Sequence, residues 1–264
     1  MIRPLDGVDR IVMASDARRT GGLRARCRLC LRVRSLCLSH VLPKWTYRWI
    51  RQENTGKPLK GFYHSYGFVE LSQDANKHYL LCVNCEQQLG DGERYARQLM
   101  TEGSTGLEAC GVSVDGSRWS GIDAMLIRRY VLGTLLRVHY APSPPFTRIR
   151  FLPAVIKSLR RILLGVGGAE NSMLITPIRL HAPDFPGVDV RALVFVHYIE
   201  DTPWGELVTF VAGGWDWQVW LNERNQCQYP VALNDGLRQD RPLFVCDMHL
   251  KDARAGSVLS RLRP

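Results

Sequence analysis

Two Cys-x2-Cys turns, Cys27-Arg-Leu-Cys30 and Cys82-Val-Asn-Cys85, constrain this chain more than any other feature. Two intervening residues let both sulfurs of a turn point inward, so a pair of such turns supplies the four ligands of a tetrahedral zinc site. The 51 residues between Cys30 and Cys82 require a subdomain to fold between the turns. A more local set, Cys27, Cys30, Cys37 and His40, would form a compact knuckle but leaves the second turn without a purpose. Cys37 reads as a buried or semi-buried residue, and the isolated Cys110, Cys227 and Cys246 as core residues. In a reducing compartment the eight cysteines are not expected to form a disulfide framework. With 264 residues, 45% of them hydrophobic, the chain can bury a core without a metal, so zinc is expected to organise a subregion.

The net charge of +10 has an address. Residues 1–60 carry 14 basic and four acidic side chains, and residues 61–264 carry 21 of each sign. A local excess points to a local anionic partner, with phosphate the first candidate. Arg24, Arg26, Arg28, Arg32, Arg34, Lys44, Arg48 and Arg51 surround the first Cys pair, with Trp45, Tyr47 and Trp49 interleaved. The alternation Arg24-x-Arg26-x-Arg28 and Arg32-x-Arg34 would set several guanidiniums on one strand face, and Arg suits bidentate phosphate contact. Nucleic acid, DNA above all, is the expected partner; a merely solvated surface is the alternative.

Along the chain, residues 1–22 read as a flexible basic lead-in, 23–105 as the zinc module and 106–264 as an α+β domain. Lys44–Arg51 is a helix candidate, and Glu86–Met100 has helical composition directly after the second Cys pair, as in treble-clef zinc modules. The Gly-, Ser- and Thr-rich stretch 101–118 is the linker candidate. Apolar residues at 3–4 spacing predict helices over Asp123–Tyr140 and Phe151–Gly165. Beyond them, Leu174–His181, Val190–Ile199, Leu207–Val211, Trp215–Leu221 and Leu243–Met248 are strand-like, which makes the protein α+β with a mainly antiparallel C-terminal sheet. No apolar run reaches the roughly 20 residues of a membrane helix, and residues 1–19 lack the apolar stretch of a secretory signal. A cytoplasmic protein that does not contact membrane is expected.

The order of motifs resembles the four-cysteine class of HNH-type nucleases, also described as His-Me finger or treble-clef modules. These run from a CxxC through an acidic residue and His followed by two apolar residues and Pro, then an Asn, then a strand into a second CxxC and a helix. Here Cys27-Arg-Leu-Cys30 is followed by Ser39-His-Val-Leu-Pro43 and by Leu80-Leu-Cys-Val-Asn-Cys-Glu86, so the resemblance covers Arg24 to Leu99. It implies that His40 is the general base that activates water for attack on a phosphodiester. It implies a hydrated divalent ion, magnesium or manganese, at the leaving oxygen, with Glu86 as a hard oxygen ligand. The sequence departs from the pattern in two places. Ser39 stands where relatives carry an acidic ligand, and the Asn that orients the His has Asn76 as its nearest candidate, with Asp74 another. A wider pattern, Ser39 to Trp49, Gln73-Asp74, Leu80 to Glu86 and the Arg137 helix, resembles a group of bacterial proteins and implies no activity.

Three functions fit these observations: a zinc-stabilised HNH-like endonuclease or nuclease-derived DNA-binding protein, a non-catalytic zinc-finger interaction module, and a bacterial defence or regulatory component whose C-terminal sheet binds a protein partner. Ser39 and the uncertain Asn favour the non-catalytic readings, while His40-x-x-Pro and Glu86 favour the enzyme.

Overall fold

The computed structural model describes residues 23–47, 59–63, 67–71, 76–115, 117–143, 146–166, 173–183, 189–192, 195–202, 205–221, 237 and 243–249. The lead-in 1–22, Arg48, Trp49, Arg51, Asp74 and Cys227 lie outside the described residues.

The N-terminal part is a three-stranded antiparallel sheet and a helix. Strand β1 (Arg24–Arg26) pairs with β2 (Val33–His40), which pairs with β5 (Lys77–Cys82). A bulge between Cys37 and Leu38 shifts the β2–β5 register and brings Leu36 and Ser39, three residues apart, both to buried positions. Between them in sequence, β3 (Leu59–Tyr63) and β4 (Gly67–Leu71) form a separate hairpin. Helix α1 (Val83–Thr101) starts at the second Cys pair, with Cys82 as its N-cap, three residues earlier than composition alone suggests. The Lys44–Arg51 helix candidate begins as a 3-10 turn, Lys44–Thr46.

The stretch expected as a linker carries helix α2 (Gly103–Ala109) and a short hairpin, β6 (Ser113–Asp115) with β7 (Arg118–Ser120). The two apolar helices follow as predicted. In α3 (Ala124–Tyr140) the Asp123 carboxylate accepts the Leu126 amide at 2.9 Å and caps the first turn. In α4 (Pro153–Leu163) Pro153 takes the first turn, where no amide donor is needed.

The C-terminal sheet has the order β13-β8-β11-β10-β9, built from β8 (Leu174–His181), β9 (Phe195–Thr202), β10 (Gly205–Ala212), β11 (Trp215–Trp220) and β13 (Cys246–His249). Only the β13–β8 pair is parallel. Residues 190–192, expected to begin a strand, are a 3-10 turn, and the last predicted strand breaks at Val245 into β12 (Leu243–Phe244), which pairs with β7, and β13. Gly213 and Gly214, at φ +62° and +83°, form the two-residue turn that fixes the β10–β11 register. The protein is therefore α+β, with a helical middle ahead of a mainly antiparallel sheet.

One apolar core runs from Cys27 through α1 and α3 to Val245. Tyr130 of α3 sits at its centre, 5.8 Å from the Trp45 ring on one side, and 5.6 and 5.8 Å from Phe210 and Trp217 of the sheet. Trp215 and Trp217 stack on each other inside this core, as strand alternation requires. Helices α1 and α3 cross at Gly92, where a Cβ would fall 2.6 Å from the Leu126 carbonyl oxygen and 2.8 Å from the Tyr130 amide nitrogen. Those neighbours are backbone and cannot swing away. Gly92→Ala is expected to cost about 2 kcal/mol, the scale of overpacking a fitted core. Urea denaturation measures it, and a loss under about 0.5 kcal/mol would mean that the helices separate freely. Among the described residues no helix is long and apolar enough to cross a membrane.

Candidate metal centre and the charged groups around it

The first Cys pair sits in the turn between β1 and β2. The Cys27 amide bonds the Arg32 carbonyl at 2.9 Å, the Leu31 amide returns to the Cys27 carbonyl at 3.0 Å, and the Arg28 amide is held by the Leu80 carbonyl of β5. Leu31 closes the turn with φ +62°, a left-handed conformation rare for a branched side chain. The second pair straddles the β5–α1 junction. Cys82 ends the strand and Cys85 lies in the first helical turn, so both reach the knuckle from one side. The Cys82 amide donates to the Cys27 sulfur at 3.3 Å.

All four sulfurs lie within 4.8 Å of one another, with Cys30 and Cys82 at 3.9 Å. A tetrahedral ion with metal–sulfur bonds of about 2.3 Å needs sulfurs about 3.8 Å apart. The cluster thus matches a metal ion such as zinc in both donor type and spacing. Cys37 and His40 stand outside it, so among the described residues the compact alternative set is not assembled.

Without an ion the thiols share protons unequally. Cys27, which accepts from the Cys85 thiol and from backbone amides, is pulled down to about 4. Cys85 is pushed far up by the same hydrogen bond and by burial, and Cys30 is raised chiefly by burial. Three buried thiols and the half-buried Cys30 can stabilise one thiolate among them; a divalent cation removes the conflict by ionising all four.

Beside the cluster, Ser39 and Glu86 meet. The fully buried Ser39 hydroxyl donates to Glu86 Oε2 at 2.7 Å. The other carboxylate oxygen accepts from Arg137 Nη2 at 3.1 Å, and Arg137 Nη1 reaches Glu93 Oε1 at 2.5 Å. Arg137, 2% exposed, therefore bridges two carboxylates seven residues apart on one face of α1. Charge pairing holds the guanidinium protonated, above its ordinary range, against the opposing effect of burial. Both oxygens of Glu86 are engaged by protein groups.

His40 ends β2 opposite Lys77. Burial lowers its pKa, and the Lys77 and Lys44 charges lower it further against the pull of Glu86, so it is neutral at pH 7. Among the described residues it makes no side-chain hydrogen bond. Asn76 lies at the same end of the β2–β5 pair, where its carbonyl accepts the Val41 amide at 3.0 Å. The structure thus brings His40, Asn76 and Glu86 to one end of the module, with Glu86 already paired.

The basic residues divide. Arg24 and Arg26 are exposed on one face of β1, whereas Arg34, also exposed, pairs across from Ala25 and belongs to the other face. Arg32 is exposed in the turn, and Lys44 is exposed at the start of the 3-10 turn. Arg28 lies in the knuckle rather than on the strand, with its guanidinium 5.1 Å from the centroid of Tyr140 at the end of α3.

Around Tyr140 stand groups that sequence reasoning missed. Arg160 of α4 donates to the Tyr140 hydroxyl at 2.5 Å and to the Arg28 carbonyl at 2.9 Å. His139 accepts the Phe151 amide on Nδ1 at 3.0 Å, which leaves its proton on Nε2. Burial, followed by Arg150, Arg160 and Arg28, pulls His139 down to about 4. In the sequence Arg160 is only a charged residue interrupting the apolar pattern of 151–165. Its meeting with Arg28 spans 132 positions and has no local signal.

The His139 shift has a definite sign. Between about pH 6.5 and 4 the unfolded chain takes a proton on this ring that the folded chain refuses, so its contribution to stability is complete above 6.5 and lost on descent to 4. Discounted by about half for partial exposure, the loss is about 2 kcal/mol. Urea melts at pH 7 and 4.5 should show His139→Gln losing correspondingly less stability than the parent; equal losses would refute the assignment.

Comparison of the chain with protein-family models, with characterised proteins and with solved structures yields no match.

Proposed function

We propose that Cys27, Cys30, Cys82 and Cys85 hold zinc, and that the zinc-organised module is a nuclease-derived domain that binds nucleic acid, DNA by preference, without cutting it. The observation that carries the non-catalytic part is the pairing of Glu86. A divalent cation is held by uncompensated carboxylate charge, and Arg137 already neutralises Glu86 while the Ser39 hydroxyl holds its other oxygen. The binding part is supported by the local charge excess and by the exposed Arg24, Arg26, Arg32, Arg34 and Lys44 around the cysteine cluster.

Phosphate neutralisation releases counterions, so affinity for duplex DNA should fall steeply with salt. Arg24→Gln and Arg26→Gln together should lower the salt slope by about 2, roughly one unit for each phosphate no longer neutralised, at any DNA sequence. Fluorescence anisotropy on the zinc-loaded chain measures this; a slope near zero in the parent would overturn the binding claim.

The catalytic reading keeps one specific support, a neutral His40 beside Asn76 and within the electrostatic reach of Glu86. It is tested by incubating supercoiled and linear DNA with the chain and magnesium or manganese. Cleavage that disappears in His40→Ala would establish the endonuclease and displace the non-catalytic proposal.

A further inference from the structure

We propose that Arg28, Arg150 and Arg160, gathered around Tyr140 and His139 where the metal knuckle meets α3 and α4, form a binding site for a phosphate group. This site goes beyond the strand-borne arginines and does not depend on nucleic acid being the partner. Three cations converge there from separate parts of the chain: the knuckle turn, the α3–α4 connection and α4 itself. The Arg28 and Arg160 guanidiniums lie 5.1 and 5.5 Å from one ring centroid, so they are at most about 11 Å apart and repel each other. Among the described residues no carboxylate pairs with Arg28, Arg150 or Arg160. The buried Arg137, by contrast, is held between two carboxylates.

Part of the cluster has a structural explanation. Arg150 donates to the carbonyls of Ala141, Phe146 and Ile149, and so satisfies acceptors just beyond the end of α3. The negative end of α3 offsets only about half of one charge, however, and three guanidiniums are present. Most of the positive charge is left for another partner. Donors are left as well: the Arg28 side chain makes no hydrogen bond among the described residues, and Arg150 Nε and Arg160 Nη1 are unused. Arg150 is exposed, and Arg28, Arg160, Tyr140 and His139 are half-buried, which gives an anion access while limiting competition from water. Every charged group acting on His139 is a cation, in keeping with a site that lacks its counter-ion. A phosphate matches the bidentate donor geometry of Arg, and its charge would reverse the field on His139.

Because Arg28 lies between Cys27 and Cys30, occupation of the metal centre fixes one wall of the site. The test uses the full chain loaded with zinc, titrated with inorganic phosphate and pyrophosphate at constant ionic strength and followed by calorimetry and by NMR of the His139 ring. Binding is expected to raise the His139 pKa by at least one unit. Arg28→Gln, which breaks no hydrogen bond, and Arg160→Gln should each weaken binding about tenfold or more, the scale of a charge-assisted hydrogen bond. Arg94→Gln on α1 should change it less than twofold. Unchanged His139 titration with phosphate, or equal affinity in Arg28→Gln and the parent, would overturn the proposal.

A DNA arm separates the two sources of phosphate. Loss of duplex affinity in Arg28→Gln identifies a backbone phosphate, and loss of free-phosphate affinity alone identifies a free anion or nucleotide. Failure of Arg24→Gln with Arg26→Gln to alter DNA binding bears only on the strand-borne surface, so the two proposals fail separately.

Discussion

Cys82→Ser is expected to abolish stoichiometric metal binding and to lower the melting temperature by about 10–20 °C. Cys27, Cys82 and Cys85 are each less than 8% exposed and belong to the same core as α1 and α3. A structural zinc contributes its binding free energy directly to folding, about 10–16 kcal/mol in isolated zinc-finger peptides. A chain of this size folds much of its core without the ion, so a smaller share, about 5 kcal/mol, should appear as global stability. At about 2–4 °C per kcal/mol that gives the stated range. The ion also resolves the proton conflict among the thiols, in which Cys27 is held near 4 while Cys85 is pushed far above its ordinary range. Elemental analysis should find one zinc per chain in the parent and none in the variant, and chelation of the parent should reproduce the shift. A metal-free parent that melts at the same temperature, with all four thiols reacting as free cysteines, would remove the metal centre.

Arg137→Ala should be about as damaging, at roughly 3–5 kcal/mol, because it leaves two partly buried carboxylates without their cation. Glu86 and Glu93 are only 30% and 20% exposed, so water cannot fully replace the guanidinium once it is removed. The triple variant Arg137→Ala, Glu86→Gln, Glu93→Gln should recover at least half of the loss, since the amides can remain uncharged beside the vacated space. Chemical denaturation of the parent, Arg137→Ala, the Glu86→Gln, Glu93→Gln pair and the triple variant measures the coupling. Additive losses would show that Arg137 acts by packing alone. A magnesium-dependent stabilisation of Arg137→Ala, absent in the parent, would show further that the guanidinium stands where a divalent cation could be held.

The cysteine set could be read from the sequence because its spacing is a local property: two residues between sulfurs define each turn whatever surrounds it. The same holds for α3 and α4, whose 3–4 apolar periodicity and end signals at Asp123 and Pro153 are local, and for β8, whose span matches its alternation. The 101–118 stretch was misleading. Its Gly and Ser content suggested a linker, yet Gly103–Ala109 folds as a helix, with Gly106 packed so closely on α1 that a Cβ would collide with the Gln98 carbonyl oxygen. There a small residue serves close approach, and composition cannot tell that from flexibility. The arginine pattern was half legible. Alternation placed Arg24 and Arg26 on one face, but the strand ends at Arg26, and Arg28 belongs to a turn.

By itself, then, the sequence determined the four-cysteine cluster, the α+β order of elements and the location of the positive charge. Each of these depends on neighbours within a few positions or on simple counting. The tertiary structure alone decided what the charged side chains meet. Glu86 was legible as a carboxylate beside a metal-type turn, but its capture by Arg137, 51 positions away, comes from the packing of α3 on α1. Likewise the gathering of Arg28, Arg150 and Arg160 follows from docking the knuckle on the ends of two helices. Electrostatic partnership acts over a few ångströms of space, and separation along the chain carries no record of that distance until the core has formed.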